Sequence, residues 1–142
     1  MPAETGVVTP AVAPAETVAP EDAAVAEFFD GFAAADDHWR RRNRGYFELL
    51  ERVYRFYVPP GASVLEIGCG GGDLLAALRP ADGLGVDVSA GMVELARSRH
   101  PGLEFVQASG DRLDAGRSFD YLVLSDLVPY AYDLVALLEN LR

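Results

Sequence analysis

Lysine is missing from the chain, so all 12 basic side chains are arginines, set against 22 acids for a formal net charge of -10. The shortage of positive charge argues against a protein that grips a phosphate backbone, because that affinity rests on neutralising phosphates with Lys and Arg. No nucleic-acid partner is expected. The absence of lysine itself fits a composition bias and carries no function. Cysteine is reduced to one residue, Cys69, which excludes an internal disulfide. Histidine occurs twice, as the isolated His38 and His100, and no metal site is expected. No apolar run approaches the roughly 18 to 20 residues that span a bilayer, and the start lacks the basic-then-apolar order of a secretory signal. The expectation is a cytoplasmic protein without a membrane span, and with 50% hydrophobic residues its 142 residues suffice for one cored domain.

Three segments follow from composition and periodicity. Residues 1–26 are rich in Ala and Pro, with Pro2, Pro10, Pro14 and Pro20 spaced to block a helix, and read as a disordered tail. Residues 27–60 turn helical. Phe28, Phe29 and Phe32 share one face; Tyr46, Leu49, Leu50, Val53, Tyr54 and Tyr57 then recur at three- and four-residue spacing until Pro59 and Pro60. Two helices are expected, breaking near Asp36 or Gly45. Over residues 61–142 strands and helices alternate. Strands are predicted at Ser63–Ile67, Leu84–Val88, Leu103–Gln107 and Phe119–Ser125; helices open at Leu74–Leu78, Gly91–Arg99 and Tyr132–Leu141. Repeated strand then helix implies an α/β protein with a doubly wound, mostly parallel sheet covered on both faces.

The chemistry collects at one strand end. In Val64-Leu-Glu-Ile-Gly-Cys-Gly-Gly-Gly-Asp73 a buried strand gives way to a helix. Glycines at 68, 70 and 72 allow a sharp turn and close approach of a ligand to free N–H groups at the helix start. Dinucleotide dehydrogenases use a similar loop, but here the third glycine comes one residue early. Asp87 ends the second predicted strand, nineteen residues after Gly68, where a carboxylate can accept from both hydroxyls of a ribose. Glu66 separates the candidate ligands. A carboxylate facing this loop repels a pyrophosphate and suits a group carrying an ammonium and a sulfonium.

At these residues the sequence resembles the class I S-adenosylmethionine-dependent methyltransferase superfamily, with its E/D-x-G-x-G-x-G motif and an acid closing strand two. The resemblance covers the amino-terminal, cofactor-binding part, from about Ser63 to Leu138. It implies S-adenosylmethionine as cofactor and a Rossmann-like sheet of order 3-2-1-4. Glu66, Gly68, Cys69, Gly70 and Gly72 would hold the methionine end, with Cys69 as a small filler in the loop. Asp87 would hold the ribose, Val88 and Met92 would lie against the adenine, and Asp111 with Arg112 would stand at the adenine amino group. Ser125 would border the cofactor and Asp126 the acceptor, as a candidate catalytic base. The Asn/Asp-Pro-Pro-Tyr motif of methyltransferases acting on amide or base nitrogens is absent. The resemblance also makes residues 27–60 a candidate lid.

Residues 38–58 hold six Arg against two Glu. The plain reading of this run is a solvated basic face over a packed aromatic stripe; the functional one is an anionic acceptor gripped by paired guanidiniums. Asp37–Tyr46 and Ser125–Leu127 are also similar to bacterial methyltransferase modules joined to family 2 glycosyltransferases, which implies a small-molecule or saccharide-like acceptor. A full fold of the resembled superfamily has seven strands. The chain stops after the fourth strand and its helix, so the sheet is expected to be incomplete, or completed by a missing segment or a partner chain. Two other functions stay open: a non-catalytic cofactor-binding or assembly module, and an NAD-dependent oxidoreductase.

Overall fold

The computed structural model describes residues 18–142. Three helices come first, α1 (Ala23–Ala33), α2 (Asp36–Arg42) and α3 (Arg44–Tyr57), followed by β1 (Ser63–Ile67), α4 (Asp73–Leu78), β2 (Asp82–Asp87) and α5 (Ala90–Arg99). Then come β3 (Glu104–Gln107), β4 (Tyr121–Val123) and α6 (Leu134–Asn140). The sheet order is β3-β2-β1-β4 with every pairing parallel, the expected 3-2-1-4 Rossmann-like arrangement. Residue 66 lies beside Gly85 on one side and Val123 on the other. The carboxyl ends of β1 and β2 therefore finish together, and the strand order reverses between β1 and β4, where a doubly wound sheet opens its crevice.

Both sheet faces are packed, as a parallel sheet requires. Val64, Leu75, Leu78, Val93, Ala96, Phe105 and Val123 pack on one face; Leu65, Ile67, Leu84, Val86, Ala108, Leu113 and Leu137 pack on the other. Side-chain alternation along β2 puts Leu84 and Val86 on the second face and leaves Gly83 and Gly85 on the first. Pro80 and Leu103 fill the space at Gly83, and the Phe105 ring fills that at Gly85, pressed between Gly85 and Gly72.

Several boundaries differ from expectation. Residues 1–17 lie outside the described part of the chain, so most of the anticipated tail is not addressed. Residues 18–26, however, are not tail. Pro20 opens a 3₁₀ turn ending at Asp22, where its missing N–H costs nothing, and α1 continues directly from it. Ser109 ties the turn down: its Oγ accepts from the Ala19 N–H at 2.8 Å and donates to Asp22 at 2.5 Å. The helical segment breaks at both anticipated places, around Ala34–Ala35 and at Asn43, giving three helices instead of two. β4 is shorter than expected. It pairs only with Val64–Glu66 of β1, and Asp126 then turns the chain away in the left-handed region, at φ 55°. Among the described residues no strand pairs with its outer side. Nor, among them, is any helix long and apolar enough to cross a membrane.

Loops are tied across the sheet by charge. Arg117 makes a paired contact with Asp82 at 3.0 Å and a further one with Glu104 at 2.9 Å, joining the loop before β4 to β2 and β3. Asn140 donates to the Gly110 and Leu113 carbonyls at 2.9 Å each, fixing α6 over the loop that follows β3.

A Cβ at Gly85 would fall 2.5 Å from Phe105 Cδ1 and 3.0 Å from Cys69 Sγ, so the Gly85→Ala variant must displace a buried ring. The expected loss is about 1–3 kcal/mol, measured as a lower urea midpoint with an unchanged denaturant slope.

Candidate functional site

The loop after β1 is shaped by glycines in the left-handed region, Gly68 at φ 74°, Gly70 at 52° and Gly72 at 79°. Beside Gly70 a Cβ would meet nothing within 4 Å, whereas at Gly68 it would meet Leu127 at 3.0 Å. The backbone at Gly70 thus borders open space, part of a cavity of about 770 Å³ at the carboxyl end of the sheet. That volume is ordinary for a small-molecule site.

Two acids stand at its floor. Asp87 accepts from the Gly70 N–H through one oxygen and from the Ser89 N–H through the other, each at 2.9 Å, so it joins the glycine loop to the start of α5. Burial raises its pKa, while those amides hold it down. Glu66 is 2% exposed, and its Oε2 has no hydrogen-bond partner. Desolvation pushes its pKa well above the carboxylate range, the negative charge of Asp87 adds to the rise, and the Leu75 backbone amide opposes it. An orphaned buried carboxyl oxygen facing a cavity is a place for a donor group of a ligand. The pair of acids fits an ammonium and a ribose better than a pyrophosphate.

Cys69 is present in the loop, but its thiol packs over Gly85, and burial drives its pKa up. A protonated, buried thiol is a filler, not a nucleophile. Val88 and Met92 line the cavity beside Asp87; the Met92 N–H caps onto the buried Ser89 hydroxyl at 3.1 Å. Asp111 and Arg112 enter from the 3₁₀ turn after β3, and Ser125 and Asp126 from the loop after β4. Gly72 is the exception among the anticipated cofactor residues. It does not line the cavity: it starts α4 and packs against Phe105 and Ala96, so its glycine is required by the fold beneath the loop.

The amino-terminal helices close over this floor. Asp30 of α1 accepts from Ser89 Oγ at 2.6 Å and from the Gly91 N–H at 2.9 Å, docking α1 on the start of α5. Glu21 pairs with Arg112 at 3.7 Å. α2 is held by Arg99, which reaches Asp36 at 2.7 Å and Asp73 at 2.9 Å and also pairs with Asp37. His100 joins the same cluster through Asp73 at 3.1 Å, so it is a partner of a carboxylate and not merely a surface residue at a helix end. Asp30 and Arg99 had no periodic or motif signal; only their placement identifies them.

The arginine run does not build the anion site considered from sequence. Arg40 alone of that run lines the cavity, and it lies 4.1 Å over the Phe47 ring and 3.4 Å from Asp73. Arg44 turns to Glu48 at 2.5 Å, and Arg41 and Arg42 are exposed away from the cavity. His38 is exposed and does not line it either. The Tyr46 hydroxyl donates to Asp126 at 2.5 Å, and that carboxylate raises the phenol to about 12. Neither the apolar stripe nor the Asp37–Tyr46 segment signals this contact of Tyr46.

Comparison with known proteins agrees with this architecture. Residues 64–142 match the methyltransferase domain family. The phthiotriol/phenolphthiotriol dimycocerosates methyltransferase of Mycobacterium leprae is 34% identical over 88 residues, 57% of this chain and 33% of that protein. The sugar N-methyltransferase KedS8 of Streptoalloteichus sp ATCC 53650 is 30% identical, with a TM-score of 0.55 over 70% of this chain and 44% of that one. Magnesium protoporphyrin IX methyltransferase of Synechocystis PCC 6803, solved with bound S-adenosylmethionine, shares the fold at a TM-score of 0.71 and 19% identity, over 87% of this chain and 71% of that one. The chain spans about a third to two fifths of the length of the curated relatives it matches, 33% and 40% in two cases. A Rossmann-like sheet in the 3-2-1-4 order, a glycine loop between two acids and a family match over most of the sheet place this chain in the class I S-adenosylmethionine-dependent methyltransferase superfamily.

Proposed function

We propose that this chain binds S-adenosylmethionine over its glycine loop and transfers the methyl group to a small-molecule or saccharide-like acceptor beside Asp126. The observation that carries the binding site is the buried, unpartnered Oε2 of Glu66 at the cavity floor. Bound there, the cofactor supplies a methyl carbon on a sulfonium, and its transfer needs in-line approach in a site cleared of water. Glu66 takes the methionine ammonium, with the backbone at Gly68, Cys69 and Gly70 giving close approach. Asp87 takes the ribose hydroxyls. Val88 and Met92 flank the adenine, and Asp111 and Arg112 close its edge. Ser125 borders the reacting end, and Asp126 receives the acceptor proton. On this reading residues 61–142 form the cofactor domain and the helices before them form a lid that excludes water.

NAD is set aside as the ligand, because a pyrophosphate beside Glu66 and Asp87 would meet two carboxylates and no free guanidinium. A non-catalytic binding module is the second reading: among the described residues no strand pairs with the outer side of β4, an edge that a partner chain would cover. Calorimetry with S-adenosylhomocysteine and with NAD separates the ligands: saturable binding of the first alone is expected, and NAD binding without a response to the first overturns the proposal. Binding without methyl transfer to any acceptor supports the second reading.

Glu66 gives a sharper pair of expectations. Its pKa is raised in the folded chain, so the native state holds the proton more tightly than the unfolded state does. Its contribution therefore favours folding below the unfolded carboxyl pKa and is lost as pH rises through the folded one. The Glu66→Gln variant should unfold at higher temperature than the parent at neutral pH, with less of that decline. The same variant should bind S-adenosylhomocysteine about 10- to 100-fold more weakly, for loss of a charge-assisted hydrogen bond. In the parent, affinity should rise with pH as Glu66 ionises; a flat titration would show that Glu66 does not meet the ammonium.

Turnover tests Asp126. The Asp126→Asn variant should retain cofactor affinity and lose about 10²- to 10⁴-fold in kcat on a hydroxyl or amine acceptor, the usual range for a positioned base. Full turnover by this variant removes the role.

A further inference from the structure

Beyond the residues assigned to the cofactor, the cavity wall is aromatic. Phe28, Phe29, Phe32 and Trp39 come from the lid helices, and Tyr130 and Tyr132 from the loop after β4. The rings touch edge to face, Phe28 with Phe29 at 5.1 Å, Phe29 with Tyr130 at 5.2 Å and Phe32 with Trp39 at 6.1 Å. Phe28 is 62% exposed, Trp39 48% and Tyr132 77%, so this wall offers apolar ring surface to an occupant.

The charge along the wall is predominantly negative. Arg40 and Arg112 are its cations, and both are taken: Arg40 lies over Phe47 and beside Asp73, and Arg112 pairs with Glu21. Asp111, Asp126 and Asp133 line the same cavity, and among the described residues none of the three pairs with a cationic side chain. Asp126 and Asp133 flank the two tyrosines. A carboxylate or phosphate acceptor entering here meets net repulsion with no free guanidinium to receive it. Asp126 accepts from the Tyr46 hydroxyl and Asp133 from the Ala136 N–H, but a neutral acceptor would leave their negative charge, and that of Asp111, unneutralised. A cation both satisfies them and gains from the ring faces.

We infer that the methyl acceptor is an amine carried on an apolar, ring-containing body, its ammonium meeting Asp126 and its body lying against Phe28, Trp39 and Tyr132. This rests on the methyl-transfer reading above and narrows it. The acceptor enters as R–NH₃⁺ and passes one proton to the Asp126 carboxylate and on to solvent. The freed nitrogen lone pair forms the new N–CH₃ bond while the carbon–sulfur bond breaks, its electron pair remaining on sulfur. The positive charge moves from sulfonium to the methylated ammonium, so no oxidant or other co-reactant is needed. Tyr46, bonded to Asp126 Oδ2, is a positioning residue that holds the carboxylate toward the cavity.

Trp39 is the one tryptophan of the chain and stands in the wall, so its fluorescence reports occupancy without turnover. The test is titration of the chain, saturated with S-adenosylhomocysteine, with phenethylamine, 2-phenylethanol and phenylacetate, which share a phenyl body and differ in head group. Phenethylamine should saturate the signal at a concentration about tenfold or more below that of the alcohol. Phenylacetate should give no saturable change. In the Asp126→Asn variant, whose left-handed backbone Asn tolerates, the amine preference should fall about fivefold or more with S-adenosylhomocysteine affinity unchanged. The Tyr46→Phe variant should show a smaller loss of the same kind. Equal or tighter binding of the alcohol or the acid overturns the inference, as does an unchanged amine preference in Asp126→Asn. Failure of S-adenosylhomocysteine to bind is a different result: it overturns the cofactor reading, and the acceptor inference falls with it.

Discussion

A carboxyl oxygen buried without a partner is an unstable thing to build into a protein, and Glu66 Oε2 is one, on a side chain 2% exposed near the end of the central strand β1. The surrounding structure is arranged about that oxygen. β1 and β2 are in register so that Glu66 and Asp87 finish on the same side of the sheet, and the loop between β1 and α4 passes through left-handed glycines in front of both. Desolvation raises the pKa of the group, and on the proposed reading a cationic ligand would favour its charged form.

Packing under the loop is as demanding as the chemistry above it. Gly70 borders the cavity, but Gly72 and Gly85 exist for the Phe105 ring, which fills the space between β2 and the start of α4. One glycine-rich motif therefore serves two surfaces, a ligand on one side and an aromatic plug on the other. The Cys69 thiol closes the same packing from above Gly85 and is kept protonated by burial.

The third helix packs Leu50 and Tyr54 against the core, whereas α1 and α2 are tied down by polar contacts. Asp30 bonds to the start of α5, Ser109 to the turn at Pro20, and Arg99 gathers Asp36, Asp37 and Asp73. Contacts of this kind are individually weak and screened by salt, which suits helices that must admit a ligand. They also consume the cations near the cavity, leaving Asp126 and Asp133 facing an aromatic wall.

The parallel α/β class, the strand order and the family were legible in the sequence, because strand-to-helix alternation, the spacing of glycines and the two acids are local patterns fixed by backbone geometry. So was the floor of the candidate site, since residues at aligned strand ends are brought together by the order itself. The rest was not local. The turn at Pro20 forms because Ser109, far along the chain, supplies its partners, and the basic run around Arg41 says nothing of which guanidiniums reach the cavity. Sequence thus determined the cofactor and the sheet that presents it. Only tertiary packing decided that Gly72 serves the core, that Asp30 and Arg99 tie α1 and α2 to α5, and that Tyr46 meets Asp126. Each of those depends on contacts between residues distant in the chain, which no periodicity records.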